Sequence, residues 1–158
     1  MASITILLFG LFGCDYLAQK ELRPGESTVD DVRRRMGRPE MIWEERDGSQ
    51  TLEYVRGPEG VATYMVEIGP DGRYRRMANV LVAETFAKVR PGMTRDDVRR
   101  LLGKPTETQT FRLKQEEVWS WRHESVVPRT SMFNVHFGLD GVVRGTSDTP
   151  DPRAANGG

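Results

Sequence analysis

The sequence has little of several residue types on which specific functions depend. It contains one cysteine in 158 residues, so an intramolecular disulfide is excluded and packing alone must hold the fold together. Its two histidines, His123 and His136, are far apart and lack a cysteine or carboxylate at metal-ligand spacing. Neither belongs to a nucleophile motif. We therefore expect no metal, no cofactor, no catalytic residue and no enzymatic activity.

The chain also lacks a surplus of positive charge. Its 23 lysines and arginines are balanced by 23 aspartates and glutamates. Phosphate binding requires a basic surplus, so nucleic acid is not an expected partner. The hydrophobic fraction of 37% and the charged fraction of 29% are typical of a globular body with a modest core.

The N-terminal residues resemble the signal peptide of a bacterial lipoprotein. Residues 1–14 carry no charged side chain, and the apolar run 4–12 is much shorter than the roughly 20 residues that cross a bilayer. Gly13-Cys14 follows the run and resembles a lipobox. We expect residues 1–13 to be removed and Cys14 to carry covalent lipid, including palmitate, as a membrane anchor. In the alternative interpretation, the run is a buried strand or helix and Cys14 is a core thiol.

The rest of the chain contains an internal repeat, with one motif in residues 22–39 and a second in residues 89–105. In each motif a threonine followed three residues later by an aspartate predicts a capping box at a helix start, and a glycine suits the left-handed position after the helix. A proline two residues later prevents continuation. The shared residues are Gly25, Thr28, Asp31, Val32, Gly37 and Pro39 in the first copy, and Gly92, Thr94, Asp97, Val98, Gly103 and Pro105 in the second.

After each predicted helix, apolar residues recur with a period of two, which predicts strands. These are residues 42–45, 51–55 and 63–68 in the first copy and 108–113, 117–122 and 132–137 in the second, with a short last strand beginning at 142–144. Residues 79–89 predict a helix joining the copies, with residues 15–22 as its counterpart. The predicted class is α+β, with each copy a helix–turn–helix followed by a three-stranded antiparallel meander. The predicted units are residues 14–78 and 79–145, with a disordered tail over 146–158.

The repeat motif and the strands after it resemble the SmpA/OmlA (BamE-like) family of outer membrane lipoproteins, here in a two-copy form. The first copy has Leu52-Glu53-Tyr54 where the family pattern has tryptophan, any residue, then an aromatic. The second copy carries the pattern well. Besides the six shared residues of the second copy given above, it has Pro91, Trp119, Trp121, Val135, Phe137, Asp140 and Gly141.

This resemblance implies a fold also seen in β-lactamase-inhibitor proteins, in which the two copies can share one continuous sheet. It implies a non-catalytic scaffold in envelope assembly, anchored by lipid at the periplasmic face of the outer membrane, with the β-barrel assembly machine as a protein partner. Asp15 also allows retention in the inner membrane. The alternative function is a periplasmic binding or enzyme-inhibitor module.

Three further groups of residues each have two interpretations. Arg33-Arg34-Arg35 and Arg99-Arg100 form a solvated helix face, or contact anionic lipid or an acidic partner. The tryptophans Trp43, Trp119 and Trp121 belong to the core of a helix-covered sheet, or are exposed binding anchors. Adjacent aspartates in each copy are expected to cap the helix, because neighbours on a helix point about 100° apart and do not converge on one ion.

Overall fold

The computed structural model describes residues 21–57, 60–125 and 130–154. The predicted signal peptide, Cys14, Asp15, most of the predicted helix 15–22 and the last four residues of the predicted tail lie outside the described residues. The described helices are α1 (Val29–Met36), α2 (Ala83–Phe86) and α3 (Arg95–Leu102). The described strands are β1 (Met41–Glu44), β2 (Gln50–Arg56), β3 (Ala62–Ile68), β4 (Tyr74–Asn79), β5 (Glu107–Phe111), β6 (Glu116–Glu124), β7 (Thr130–Gly138) and β8 (Val143–Pro150).

The same order of elements occurs twice. A capped helix is followed by an antiparallel four-stranded sheet, in the order β1-β2-β3-β4 in the first half and β5-β6-β7-β8 in the second. The α+β class is therefore confirmed. Of the two arrangements that the sequence left open, the described residues form two separate sheets rather than one continuous sheet, because no strand of one sheet is hydrogen-bonded to a strand of the other.

Both long helices begin with the capping box that the sequence predicts. In α1, the Thr28 backbone N–H donates to the Asp31 carboxylate at 2.8 Å, and the Asp31 N–H donates to the Thr28 hydroxyl at 3.2 Å. Thr94 and Asp97 repeat this arrangement at the start of α3, at 2.8 and 3.2 Å. Each box satisfies backbone groups that have no partner within the helix, which fixes where the helix starts.

Both helices end at a glycine with positive φ, as predicted, but not in the left-handed helical conformation. Gly37 has φ 79° and ψ −155°, and Gly103 has φ 78° and ψ −165°. This region of positive φ and extended ψ is accessible essentially only to glycine. It directs the chain from the helix straight into the extended segment that leads to the next strand, so only the sign of φ was predictable from the motif.

Each helix packs on the inner face of its own sheet. Val32 and Met36 of α1 are buried against one set of side chains, and Val98 and Leu102 of α3 against another. Successive residues of a strand point to opposite faces, so alternate positions supply these sets. The first core includes Leu52, Tyr54, Val66, Ile68, Tyr74 and Met77, and the second includes Trp121, Phe133, Val135, Phe137 and Val143.

The last strand of each sheet differs in part from the prediction. Tyr74–Asn79 forms β4, which was not predicted, and the helix predicted over 79–89 shrinks to Ala83–Phe86. In the second copy, the short last strand predicted to begin at 142–144 is confirmed as β8, which begins at Val143 but is longer than predicted. The disordered tail is wrong for residues 146–151, because β8 runs to Pro150 and Asp151 is buried. Most of β8 is exposed. Backbone pairing with β7, rather than apolar burial, defines it, and pairing leaves no periodic pattern in the sequence.

Candidate protein-interaction site

The histidines and acidic residues do not converge on a catalytic or metal-binding arrangement. The His123 Nε2 atom lies 3.1 Å from a carboxylate oxygen of Asp148, and the His136 Nδ1 atom lies 2.8 Å from a carboxylate oxygen of Glu116. Across the described residues, no group of three or more histidine, cysteine or acidic side chains is placed to hold a metal ion. In the same ranges, no helix has the length and apolar character needed to cross a membrane.

The motif aspartates serve the helix starts. Hydrogen bonds from the Thr28 backbone, and then from its side chain, stabilise the Asp31 carboxylate and lower its pKa to about 2. The same bonds from Thr94 lower the pKa of Asp97 below its ordinary value. These carboxylates are held in their charged form by local hydrogen bonds, which favours capping over acid–base chemistry.

In each copy, the aromatic residue at the end of the tryptophan-x-aromatic motif donates a hydrogen bond to the carbonyl of the glycine that ends the helix. The Trp121 indole N–H donates to the Gly103 carbonyl at 3.1 Å, and the Tyr54 hydroxyl donates to the Gly37 carbonyl at 3.2 Å. Trp121 and Tyr54 are fully buried. A buried aromatic with a polar tip thus fills the core and satisfies a carbonyl beyond the helix end. This explains why the motif tolerates tyrosine in the first copy.

The outer face of the first sheet holds a buried carboxylate that contacts the second repeat. Glu53 lies on β2 between the inward-facing Leu52 and Tyr54, so it points to the opposite face, and it is fully buried. One of its oxygens accepts from the Lys104 backbone N–H at 2.8 Å, and the other pairs with the Arg99 guanidinium. The contact joins the first sheet to the C-terminal end of α3.

Charge is matched across this contact between the repeats. The first sheet presents three carboxylates, and the end of α3 presents three basic side chains, in the pairs Glu53–Arg99, Glu45–Arg100 and Glu40–Lys104. The Lys104 hydrogen bond lowers the pKa of Glu40. We define these six residues as the repeat interface.

Trp43 and Gly103 lie among the six residues of the repeat interface and extend it. The Arg99 and Arg100 guanidiniums lie over the Trp43 ring, 5.7 and 4.7 Å from its centre. A Cβ atom on Gly103 would approach the Thr63 side chain to 2.7 Å, so the helix end is in close contact with the sheet.

Several sequence interpretations are decided by the repeat interface. Arg99 is only 16% exposed, so the interpretation of this arginine as part of a solvated face is wrong. Of the tryptophans, Trp121 belongs to the core, Trp119 is half-buried against it, and Trp43 lies in the interface. The sequence did not identify Glu53 as an interface residue, because a glutamate between two apolar strand residues is the ordinary pattern of a strand with one solvent-exposed face.

The outer face of the second sheet is equivalent to the one that α3 covers, but it is open. By strand register, Glu40, Glu45 and Glu53 correspond to Thr106, Phe111 and Ser120. A cavity of about 450 Å³ follows this face. Side chains lining it include Glu107, Phe111, Glu116, Ser120, Asn134 and His136. The second sheet therefore has no carboxylate at the three positions that correspond to Glu40, Glu45 and Glu53, although Glu107 and Glu116 place carboxylates elsewhere on this face.

The C-terminal end of α1 is the second open surface. It corresponds to the end of α3 in the repeat interface, with Arg33, Gly37 and Arg38 in the places of Arg99, Gly103 and Lys104. Gly37 is exposed where Gly103 is buried. A groove of about 670 Å³ lies beside it, lined by Arg33, Gly37, Arg38, Pro39, Glu40, Met41 and Ile42. We call this surface the α1 groove.

Comparison with known families decides the nature of the second repeat. Residues 78–147 match the family model described as "Outer membrane protein assembly factor BamE domain". The second repeat is therefore similar to the BamE domain. The match includes α2, α3 and β5–β7, so the capped helix and the Trp119–Trp121 motif lie in the matched segment, as the resemblance predicts. The first repeat lies outside the match, and the two-copy form of the family stays a prediction.

Two solved structures resemble the chain over most of its length. One is a candidate β-lactamase inhibitor protein from Streptococcus mutans, with 11% identity, a TM-score of 0.33, and coverage of 85% of this chain and 94% of that one. The other is a DUF4309 family protein from Bacillus subtilis, with 14% identity, a TM-score of 0.32, and coverage of 88% and 94%. No curated protein matches the sequence of the chain.

Proposed function

We propose that the protein is a non-catalytic, lipid-anchored scaffold that binds other proteins during outer membrane assembly, from the periplasmic face of the membrane. The observation that carries this proposal is the match of residues 78–147 to the BamE domain, whose family is described as an outer membrane protein assembly factor. The α1 groove and the open face of the second sheet support it, since each brings charged and apolar side chains together at the surface.

The proposed mechanism is tethering. Acyl chains on Cys14 hold the globular body at the membrane and raise its effective concentration near membrane-bound partners. On this proposal the protein contributes positioning and contact surface, which agrees with side chains that cap helices and join repeats rather than form a reactive centre.

The proposal is tested by complementation of a deletion strain. Loss of the protein is expected to sensitise cells to detergents and large antibiotics, because a defective outer membrane admits them. The wild-type chain should restore resistance, and Cys14→Ala, expressed in the periplasm at equal level, should not. Labelling with radioactive palmitate should mark the wild type and not the variant. Unchanged sensitivity in the deletion strain, or full rescue by the unlabelled variant, would contradict the proposal.

A further inference from the structure

The repeat interface shows how a helix end of this type binds a carboxylate. Glu53 is held by two groups of the second repeat, the Arg99 guanidinium and the Lys104 backbone N–H, which lie on either side of Gly103. Hydrogen bonds that involve a charged group are stronger than neutral ones, and the donors of the arginine and the backbone meet the two carboxylate oxygens separately. The site recognises a carboxylate by geometry as well as by charge.

The same donors occur in the α1 groove without a carboxylate between them. Arg33 replaces Arg99, and its side chain is 42% exposed, with Asp30 as an exposed ion-pair partner at 3.8 Å. The Arg38 backbone N–H, equivalent to that of Lys104, has no acceptor among the described residues. A Cβ atom built on Gly37 would meet nothing within 4 Å, so the approach to both donors is open.

A second copy of the chain does not fit this surface. In the copy's first sheet, the three carboxylates already face α3. In its second sheet, the positions that correspond to the three carboxylates are Thr106, Phe111 and Ser120. The carboxylates that line that face, Glu107 and Glu116, stand at other positions of the sheet, and Glu116 is paired with His136. Among the described residues, the basic half of the interface is thus present twice, whereas its three carboxylates in this arrangement are present once.

We propose that the α1 groove binds an acidic side chain of a partner protein, with one carboxylate oxygen on the Arg33 guanidinium and the other on the Arg38 N–H. Met41 and Ile42 are 39% and 38% exposed beside the groove and contact an apolar residue next to that acid. Glu40, which also lines the groove, is paired with Lys104 and does not compete for Arg33. This inference rests on the proposed function, because it names the chemistry of the scaffold's partner.

The test is an NMR titration of the full-length folded protein with a defined probe. The probe is the tripeptide glutamate-tryptophan-glutamate, acetylated at its N-terminus and amidated at its C-terminus so that only the side chains carry carboxylates, and its glutamine counterpart with the same blocked ends is the matched control. The acidic peptide is expected to shift the Arg38 amide and the Arg33 side-chain resonances, and the neutral peptide to leave them unchanged. Arg33→Gln should weaken binding of the acidic peptide by about tenfold or more. Arg23→Gln, at another exposed arginine paired with Glu26, should leave binding unchanged.

A second arm of the titration uses vesicles that contain anionic phospholipid. Equal shifts with both peptides, or equal binding by Arg33→Gln and the wild type, would overturn the proposal. Shifts of the Arg33 and Arg38 resonances with vesicles but not with the acidic peptide would also overturn it and assign the groove to lipid. The readout does not depend on outer membrane assembly. Peptide binding in a protein that fails the complementation test would therefore reject the proposed function and retain the carboxylate site.

Discussion

Arg99→Met is the substitution that tests the repeat interface most sharply. It removes the guanidinium from a fully buried Glu53 and leaves that carboxylate with the Lys104 N–H as its described hydrogen-bond donor. Removing one partner of a buried ion pair costs about 3–5 kcal/mol, because the remaining charge stays desolvated. Arg99 is 16% exposed, so water reaches part of the site and we expect a loss near 3 kcal/mol.

The assay is urea unfolding, with the free energy of unfolding extrapolated to zero denaturant. Arg33→Met is the matched control, since Arg33 occupies the equivalent position in the first repeat and is 42% exposed. Its effect should stay within about 0.5 kcal/mol. In the Arg99→Met background, Glu53→Gln should restore about 1–2 kcal/mol by removing the buried charge. Equal losses for Arg99→Met and Arg33→Met, or no recovery with Glu53→Gln, would refute the reasoning.

Three further substitutions follow from the structure. Gly37→Ala should lower the free energy of unfolding by about 1–3 kcal/mol, because alanine is strained in this backbone conformation. Gly103→Ala should lower it by at least about 1 kcal/mol more, because its Cβ would also approach a first-sheet side chain to 2.7 Å. Equal free energies of unfolding for the two variants would refute this. The pKa of Asp31 in the folded protein is lowered to about 2, so the charged carboxylate stabilises the fold above pH 4 and this effect is lost as the pH falls toward 2. The difference in Tm between the wild type and Asp31→Asn should therefore shrink over that pH window. A constant difference in Tm would contradict the proposed capping role of the carboxylate. Asp151→Ala removes a buried carboxylate 2.7 Å from Arg122 and should cost about 3–5 kcal/mol in urea unfolding, whereas a loss below about 1 kcal/mol would restore the interpretation of this region as a tail.

The elements that the sequence predicted well are those with local chemical signals. Thr28 and Asp31, or Thr94 and Asp97, specify a helix start through hydrogen bonds within four residues. The inner strands were predictable because their apolar residues alternate and fill a core. Such patterns require no knowledge of the rest of the chain.

The elements that were missed depend on partners distant in sequence. The start of strand β8 was predicted at 142–144, but its continuation to Pro150 was missed, because backbone pairing with β7 defines that part and its side chains are mostly exposed. Strand β4 has only Tyr74 and Met77 buried among charged neighbours. The role of Glu53 depends on Arg99, which lies 46 residues away in the sequence. The sequence therefore predicted an acidic partner as one interpretation of the arginine run, but it did not identify Glu53 as that partner.

The most direct measurement of the central claim is a cross-linking pull-down of the tagged, full-length protein from detergent-solubilised membranes, with Cys14→Ala as the control. Components of the β-barrel assembly machine should be recovered with the wild type and lost with Cys14→Ala, since the proposed anchor places the second repeat beside its partners. Recovery of an unrelated soluble enzyme, in equal amount with both proteins, would contradict the account.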